Sequence, residues 1–338
     1  MIRPDLDALP VYKPGARNEH AIKLSSNESA EGPLPAVTDA MVEALRTINR
    51  YPDMGALALR EALASHLGVT PEQVALGAGS SGLCQQLVAM TSQPGDEVVY
   101  PWRSFEAYPI FVQIAGATPV PVPLTDDHRV DLPAMASAVT ERTRLIFVCN
   151  PNNPTGTTIT NDEFAAFMDA VPADVLVVLD EAYFEYNLAA DSPVSTEAIT
   201  RYPNVVGMRT FSKAYGLAGA RIGYAFGPVE LIEAINRVAV PFAVSGVAQA
   251  AALASLGAQE ELQVRVKETA AQRARVVDTL GLDESQANFV WLPGVSQELA
   301  DQIADNGVLV RAFPEGTRVT VTNAAETDAF LQAWRDAQ

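Results

Sequence analysis

Four separate stretches of this 338-residue sequence contain polar residues whose types can support chemistry. They are GAGSSG at residues 77–82, NPNNPTG at 150–156, DEAY at 180–183 and SKAYGLAGAR at 212–221. Glycines and serines at a helix start can bind an anion, and the other stretches supply an amide, a carboxylate, an amine and a guanidinium group. Chemistry requires that the fold bring these widely spaced stretches to one place.

The stretch GAGSSG has the G-x-G-x-x-G spacing of dinucleotide-binding folds, in which a helix N-terminus faces a pyrophosphate. Such folds also need an acidic residue at the end of the next strand. Asp96 and Glu97 instead open the next strand-like segment, which weakens the dinucleotide interpretation. Ser80 nearly matches the nucleophile motif G-x-S-x-G, but a hydrolase needs a histidine late in the chain and only His128 follows. A plain helix cap is the remaining structural alternative.

The other three stretches each place a polar side chain after an apolar run. Asp180 ends the run VLVVL, and a carboxylate there needs a cation or hydrogen-bond donors. It resembles the magnesium-binding Asp of P-loop ATPases, but the chain has no G-x-x-x-x-G-K-[ST] motif. Asn153 lies between prolines that can fix its amide orientation. Lys213, taken alone, is expected to be an ordinary solvated charge.

Short apolar segments are predicted to position these residues. From about residue 95 the segments EVVYP, TPVPVPL, RLIFVCN, VLVVLD, VVGMRTFS and RIGYAFG alternate with helical or loop stretches. This alternation predicts an α/β domain with a largely parallel, buried sheet. Because ligands bind at the carboxyl edge of such a sheet, Asn153, Asp180 and Lys213 are expected to meet there.

One kind of ligand would use the whole set of groups. It would carry a phosphate for Arg221 and the helix start, and a cationic ring nitrogen for Asp180. It would also carry a ring hydroxyl for Asn153 and Tyr183, and an aldehyde for Lys213. Pyridoxal phosphate has all four of these groups. The sequence therefore predicts a pyridoxal phosphate site.

The composition narrows the class of protein further. Hydrophobic residues make up 48% of the chain, enough for a large core, and no apolar run predicts a signal peptide or a membrane span, so a cytoplasmic location is expected. A formal net charge of −18 argues against nucleic acid as a partner. The three histidines lie far apart and the two cysteines lack metal-ligand spacing, so no metal site is predicted.

Seven motifs together resemble those of fold-type I aminotransferases, in the group similar to histidinol-phosphate aminotransferases. In chain order they are LSSNE (24–28), NRYPD (49–53), GAGSS (77–81), NPNNPTG (150–156), DEAY (180–183), FSKAYGLAGARIGY (211–224) and RVTVT (318–322). The resemblance implies an α/β fold with a large domain, built on a mostly parallel central sheet flanked by helices, and a smaller α+β domain. The expected division is an N-terminal arm at 1–25 that joins the small domain, a large cofactor-binding domain at 26–230 and a small domain at 231–338.

The resemblance also implies a role for each matching residue. Lys213 would bind the cofactor's aldehyde covalently and, once displaced by the substrate, would carry the proton between Cα and C4′. Asp180 would keep the pyridine nitrogen protonated, and Tyr183 with Asn153 would bond the ring's phenolic oxygen. The residues expected to hold the phosphate are Gly79, Ser80, Ser81, Ser212 and Arg221.

Further roles follow from the same resemblance. Tyr51 would reach the phosphate of a neighbouring subunit, so a homodimer with shared active sites is expected. Arg318 resembles the arginine that pairs with the substrate carboxylate. The other expected substrate-binding residues are Tyr12, Asn27 and Arg311.

Two stretches bear on the substrate. PWRSFEAY at 101–108 replaces the P-T-[FY]-S-M-Y of many histidinol-phosphate enzymes, and either Trp102 or, as the alternative, Phe105 is expected to stack on the cofactor ring. WRSFEAYPI and SQANFVWLP resemble an actinobacterial subgroup proposed as phenylalanine or aromatic aminotransferases. The expected reaction is ping-pong transamination between an aromatic L-amino acid and a 2-oxo acid. Histidinol phosphate as donor, and a pyridoxal phosphate lyase or decarboxylase, stay open as alternatives.

Overall fold

The computed structural model describes residues 7, 9, 11 and 18–338, so Tyr12 lies outside the described residues. The strands are β1 Ile22–Lys23, β2 Val74–Gly77, β3 Glu97–Trp102, β4 Thr118–Pro123, β5 Thr143–Cys149, β6 Leu176–Asp180, β7 Val205–Thr210, β8 Gly223–Phe226, β9 Phe289–Pro293, β10 Val308–Leu309, β11 Arg311–Phe313 and β12 Gly316–Thr320. The α-helices are α1 Pro35–Leu45, α2 Leu57–Leu67, α3 Gly79–Thr91, α4 Tyr108–Ile114, α5 Leu132–Ser137, α6 Asn161–Ala170, α7 Ser195–Arg201, α8 Val229–Arg237, α9 Gly246–Leu256, α10 Gln259–Leu280, α11 Gln297–Asp305 and α12 Ala324–Asp336.

Seven strands form the large sheet, in the order β2-β8-β7-β6-β5-β3-β4. Neighbouring strands are parallel from β7 through β6, β5 and β3 to β4. Strand β8, by contrast, is antiparallel to both of its neighbours, β7 and β2. The apolar sequences of β5 and β6 are buried almost throughout, as expected for strands covered by helices on both faces. The predicted α/β class with a mostly parallel central sheet is confirmed.

Two smaller sheets lie towards the C-terminal end of the chain. Strands β11, β12 and β9 form an antiparallel sheet, and β1 pairs in parallel with β10. Their core contains Leu24 together with Val290, Val319 and Phe330. By contrast, α9, which the expected division assigns to the small domain, packs in the core beside the large sheet. The domain boundary near residue 230 stays a prediction.

The topology brings several loops to one edge of the large sheet. Strands β3, β5, β6 and β7 are parallel, so the loops that follow them leave from the same edge. Strand β2 runs in the same direction as β7, because both are antiparallel to β8. The start of α3 after β2, and the segment that enters β8, therefore lie at that edge as well.

Candidate active site

A cavity of about 480 Å³ opens at the carboxyl edge of the large sheet. Its walls come from the loops after β3, β5, β6 and β7, from the start of α3, from residues 25–28 and from the β11–β12 hairpin. The predicted site residues that line it are Asn27, Ser80, Ser81, Asn153, Asp180, Tyr183, Ser212, Lys213, Arg221, Arg311 and Arg318. The fold thus brings residues from both ends of the chain to one place.

One end of the cavity has the features of an anion site. Helix α3 begins at Gly79, and its first backbone N–H groups lack partners within the helix. Gly79 has φ +73°, and a Cβ atom there would lie 2.3 Å from Nη2 of Arg221. Ser80, Ser81 and Ser212 line the same end, with the Ser212 hydroxyl 3.5 Å from Nη1 of Arg221. Hydroxyls, a guanidinium group and a helix N-terminus together suit a phosphate.

A buried carboxylate lies deeper in the cavity. Asp180 is only 3% exposed, and its oxygens accept hydrogen bonds from the Tyr108 hydroxyl at 2.6 Å and from the backbone N–H of Ala182 at 3.2 Å. Burial raises the pKa of Asp180 to about 6, although the Tyr108 hydrogen bond opposes this rise. An ionised Asp180 would therefore be stabilised by a cationic partner in the cavity.

Tyr108 was not predicted from the sequence. It begins α4, is fully buried, and its ring stacks on Phe147 with centroids 4.5 Å apart. The sequence did contain an indication of this contact. Asp180, at the end of an apolar strand, needs hydrogen-bond donors, and Tyr108 ends the stretch PWRSFEAY, which leads away from the same edge of the sheet. Which residue of that stretch supplies the donor depends on the path of the loop.

Asn27 and Tyr183 form a second polar group. The Asn27 side chain accepts a hydrogen bond from the Thr320 hydroxyl at 3.0 Å, and that hydroxyl oxygen accepts from the Asn27 backbone N–H at 2.9 Å. This arrangement directs the Asn27 amide N–H₂ towards Tyr183, to whose hydroxyl it donates at 2.9 Å. The hydrogen of the Tyr183 hydroxyl is then available to another acceptor in the cavity.

Lys213 follows β7 and lies half-buried in the cavity. Its Nζ donates a hydrogen bond to the backbone oxygen of Ser26 at 3.3 Å and lies 5.7 Å from the centre of the Tyr183 ring. Burial, and after it the charge of Arg318, lower the pKa of Lys213 to about 7. A large fraction of this amine is therefore neutral and nucleophilic near neutral pH.

Two arginines lie on facing strands at the opposite wall. Arg318 donates to the side-chain oxygen of Asn153 and to the backbone oxygen of Ser25, both at 2.6 Å. Arg311 is its direct partner across the β11–β12 pair and forms an ion pair with Glu106, Nη2 to Oε2, at 2.9 Å. Guanidinium groups in such a wall can bind a carboxylate.

Three of the predicted site residues that the structure describes are not part of the cavity lining: Gly79, which directly precedes the lining residue Ser80, Trp102 and Tyr51. Trp102 belongs to β3, packs edge-on to Tyr100 and is covered by Arg103, whose guanidinium carbon is 4.4 Å from its ring centre. Phe105, the alternative stacking residue, does line the cavity, because it lies in the loop that turns inward after β3. Tyr51 is 83% exposed and stacks on Phe242 with ring centroids 4.6 Å apart.

Within the described ranges, no group of three or more His, Cys, Asp or Glu side chains has a geometry that could hold a metal ion. In that same part of the chain no helix combines the length and the apolar character needed to cross a membrane. Cys84 and Cys149 are buried thiols without a disulfide.

Known proteins resemble this chain over nearly its whole length. Residues 19–333 match the family model described as aminotransferase class I and II. An aromatic amino acid aminotransferase of Corynebacterium efficiens is 63% identical over 336 residues, which cover 99% of this chain and 98% of the relative. One of Mycobacterium bovis is 53% identical, with 100% and 99% covered. The crystal structure of histidinol-phosphate aminotransferase from Sinorhizobium meliloti in complex with pyridoxal-5'-phosphate superposes with a TM-score of 0.90 at 32% identity, covering 99% of this chain and 97% of that one.

Proposed function

Because the chain belongs to the aminotransferase class I and II family, we propose that it transfers an amino group from an aromatic L-amino acid to a 2-oxo acid, with pyridoxal phosphate as cofactor. One observation carries the proposal: a single cavity contains the buried Asp180, the amine of Lys213 and the anion site at Gly79. The relatives named aromatic amino acid aminotransferases support the substrate class.

The residues of the cavity fit this cofactor. The helix start at Gly79 with Arg221 binds the phosphate, and the close approach that the missing Cβ allows supports this assignment. Asp180 pairs with the protonated ring nitrogen, which compensates the cost of its burial. Tyr183, already oriented by Asn27, donates its hydroxyl hydrogen to the ring's phenolic oxygen. Phe105, which lines the cavity, packs on the ring in preference to Trp102.

The bound cofactor supplies an electron-withdrawing ring that stabilises negative charge at the substrate Cα. Lys213 would provide the neutral amine that holds the cofactor by its aldehyde, which its lowered pKa favours. Once displaced by the substrate amine, Nζ of Lys213 would accept the proton from the substrate Cα and carry it across the site. Asp180 would hold the ring nitrogen in its protonated form.

The substrate is oriented by the opposite wall of the cavity. Arg318 binds its carboxylate, while Asn153 and the backbone of Ser25 hold the guanidinium group in place. The aromatic side chain lies against Ile110, Phe111 and Phe313, which line the apolar part of the cavity.

The active unit in this proposal is a homodimer. Tyr51, which is exposed beside Phe242, contacts the phosphate in the cavity of the second subunit. Exposed apolar side chains around it, including Met54, Leu57 and Val240, support an interface at this surface.

A half-reaction tests the substrate class. The protein is loaded with pyridoxal phosphate, L-phenylalanine or histidinol phosphate is added without a 2-oxo acid, and the visible absorption band of the lysine-bound cofactor is followed by stopped flow. We expect the band to decay faster with phenylalanine. Faster decay with histidinol phosphate would instead assign the protein to that substrate. The Lys213→Ala variant should bind the cofactor without this band and without turnover, and a normal rate in that variant would contradict the mechanism.

A further inference from the structure

Glu106 has an unusual position in the cavity wall. It lies in the loop after β3, between Phe105 and α4, and its carboxylate lines the cavity together with the apolar side chains of Ile110, Phe111 and Phe313. Its side chain is 31% exposed and that of its ion-pair partner, Arg311, is 18% exposed. A negative charge thus belongs to the cavity wall, where it contacts a positive one.

The need for this negative charge follows from the register of the hairpin. Arg311 and Arg318 lie directly opposite each other on β11 and β12, and like charges in this position repel. Both guanidinium carbons lie within 6 Å of the centre of the Phe313 ring, at 5.6 and 5.9 Å. Removal of the Glu106 carboxylate would make this wall of the cavity more positive by one charge, which would favour an anionic group on the substrate side chain.

We propose that Glu106 is a residue that determines substrate specificity. By pairing with Arg311 it offsets a positive charge in the cavity wall, so that the site accepts donors with uncharged aromatic or aliphatic side chains. Donors that carry a second carboxylate or a phosphate must compete with Glu106 for Arg311. This inference rests on the proposed aminotransferase reaction and specifies the charge of the substrate side chain.

The ion pair also joins the loop after β3 to the β11–β12 hairpin, and this structural role must be separated from the proposed one. The loop and the hairpin are joined by a second ion pair, in which Arg103 bonds Glu315 through Nε and Nη2 at 3.1 and 3.0 Å. Glu315 is 43% exposed and, like Arg103, does not line the cavity. The Glu315→Gln variant therefore loosens the same two segments without changing the charge of the site, and it is a matched control.

The test compares Glu106→Gln and Arg311→Gln, both loaded with pyridoxal phosphate, with the native protein and Glu315→Gln. Binding of two unreactive acids, glutarate and 3-phenylpropanoate, is measured by titration calorimetry, and half-reaction rates are measured with L-glutamate and L-phenylalanine. Glu106→Gln leaves an excess positive charge, so glutarate affinity relative to 3-phenylpropanoate should rise by about tenfold. Arg311→Gln leaves an excess negative charge, so the same ratio should fall. The half-reaction rates should follow the same order.

The opposite signs are the decisive part of the result. If the pair only held the loop to the hairpin, both variants and Glu315→Gln would change the binding ratio in the same direction or leave it unchanged, and either result would overturn the inference. If Glu106→Gln did not fold, Glu106→Ala, which removes the same charge, would be measured in its place against Glu315→Ala, with the same rise expected only in Glu106→Ala. A native protein that does not react with phenylalanine would refute the proposed substrate instead, because the two unreactive acids would still report on Glu106.

Discussion

The carboxylate of Asp180 illustrates how a single residue can be prepared for a ligand. In the protein alone it is buried, and its pKa is raised to about 6 because burial outweighs the hydrogen bonds from Tyr108 and Ala182. A protonated pyridine nitrogen reverses this balance by pairing with the anion. Cofactor binding below about pH 6 must therefore release a proton from Asp180, and the affinity is expected to fall as the pH decreases through this range.

This coupling gives a prediction for Tyr108→Phe. The change preserves the ring that stacks on Phe147 but removes the donor that favours the Asp180 anion, so the pKa of Asp180 should rise further. The pH at which affinity begins to fall should then increase by about one pH unit. The measurement is the dissociation constant of pyridoxamine phosphate between pH 5 and 8, since this form of the cofactor does not react with Lys213.

Tyr100 supplies the control for this experiment. It is also buried, and its ring centroid is 6.0 Å from that of Tyr108. The hydrogen bonds to the Asp180 oxygens, however, come from the Tyr108 hydroxyl and the Ala182 backbone N–H. Titration of the ligand itself is the same for the native protein, Tyr108→Phe and Tyr100→Phe, so it cancels when their pH dependences are compared. An identical pH dependence in Tyr108→Phe and Tyr100→Phe would show that the hydroxyl does not control Asp180.

The sequence predicts some of these residues much better than others. Asp180 ends the apolar strand β6 and Lys213 lies three residues after β7, and parallel strands place such residues at one edge whatever the details of packing. Tyr108 and Glu106 lie in the stretch after β3, where the conformation of the loop decides which side chain turns inward. That conformation depends on contacts with the β11–β12 hairpin, more than 200 residues later, such as the Arg103–Glu315 ion pair. Local sequence patterns do not report on contacts of this range.

At the scale of elements, the proposed phosphate site depends on the junction between β2, β8 and the start of α3. Gly77 and Thr210 both pair with Gly223, so three strands meet where α3 begins. The alternation of segments predicted the parallel strands, but the reversed direction of β8 was not predicted. The connection from β7 to β8 contains only a short 3-10 helix and no crossover α-helix, which is the physical reason for the reversal.

The same junction makes Gly79→Ala a specific prediction. The new Cβ would lie 2.3 Å from Nη2 of Arg221 at a backbone φ of +73°, so the guanidinium group must move away from the phosphate position. Affinity for pyridoxal phosphate should fall more than about tenfold, which equilibrium dialysis of the apoprotein can measure.

Gly82→Ala is the matched change on the same helix. A Cβ at Gly82 would be 3.5 Å from the Ala78 Cβ, an ordinary contact, and alanine is the better helix former, so affinity should be unchanged. Equal losses in the two variants would indicate that α3 as a whole is disturbed, and the assignment of the phosphate to Gly79 and Arg221 would then be wrong.

At the scale of the whole molecule, a surface of exposed apolar side chains remains outside the cavity. It includes Tyr51, Met54, Leu57, Val240 and Phe242. These residues lie on two segments that are far apart in sequence, one leading into the start of α2 and the other after α8, and the Tyr51–Phe242 ring contact joins the segments. An apolar surface of this kind is typical of an interface between subunits.

Hybrid dimers test whether Tyr51 completes the site of the other subunit. Lys213→Ala removes the amine from its own cavity, whereas Tyr51→Ala is expected to damage the cavity of the partner. When the two inactive proteins are dissociated together and reassociated, half of the dimers should be hybrids, and one site of each hybrid should be intact. About a quarter of the native activity should therefore return.

Lys213→Ala mixed with Arg221→Ala should recover no activity, because each change lies in the cavity of its own chain and every site of that hybrid is damaged. Recovery of activity only in the mixture of Lys213→Ala with Tyr51→Ala would establish shared sites. Native mass spectrometry verifies that hybrids form. If they form and neither mixture recovers activity, Tyr51 acts only within its own subunit.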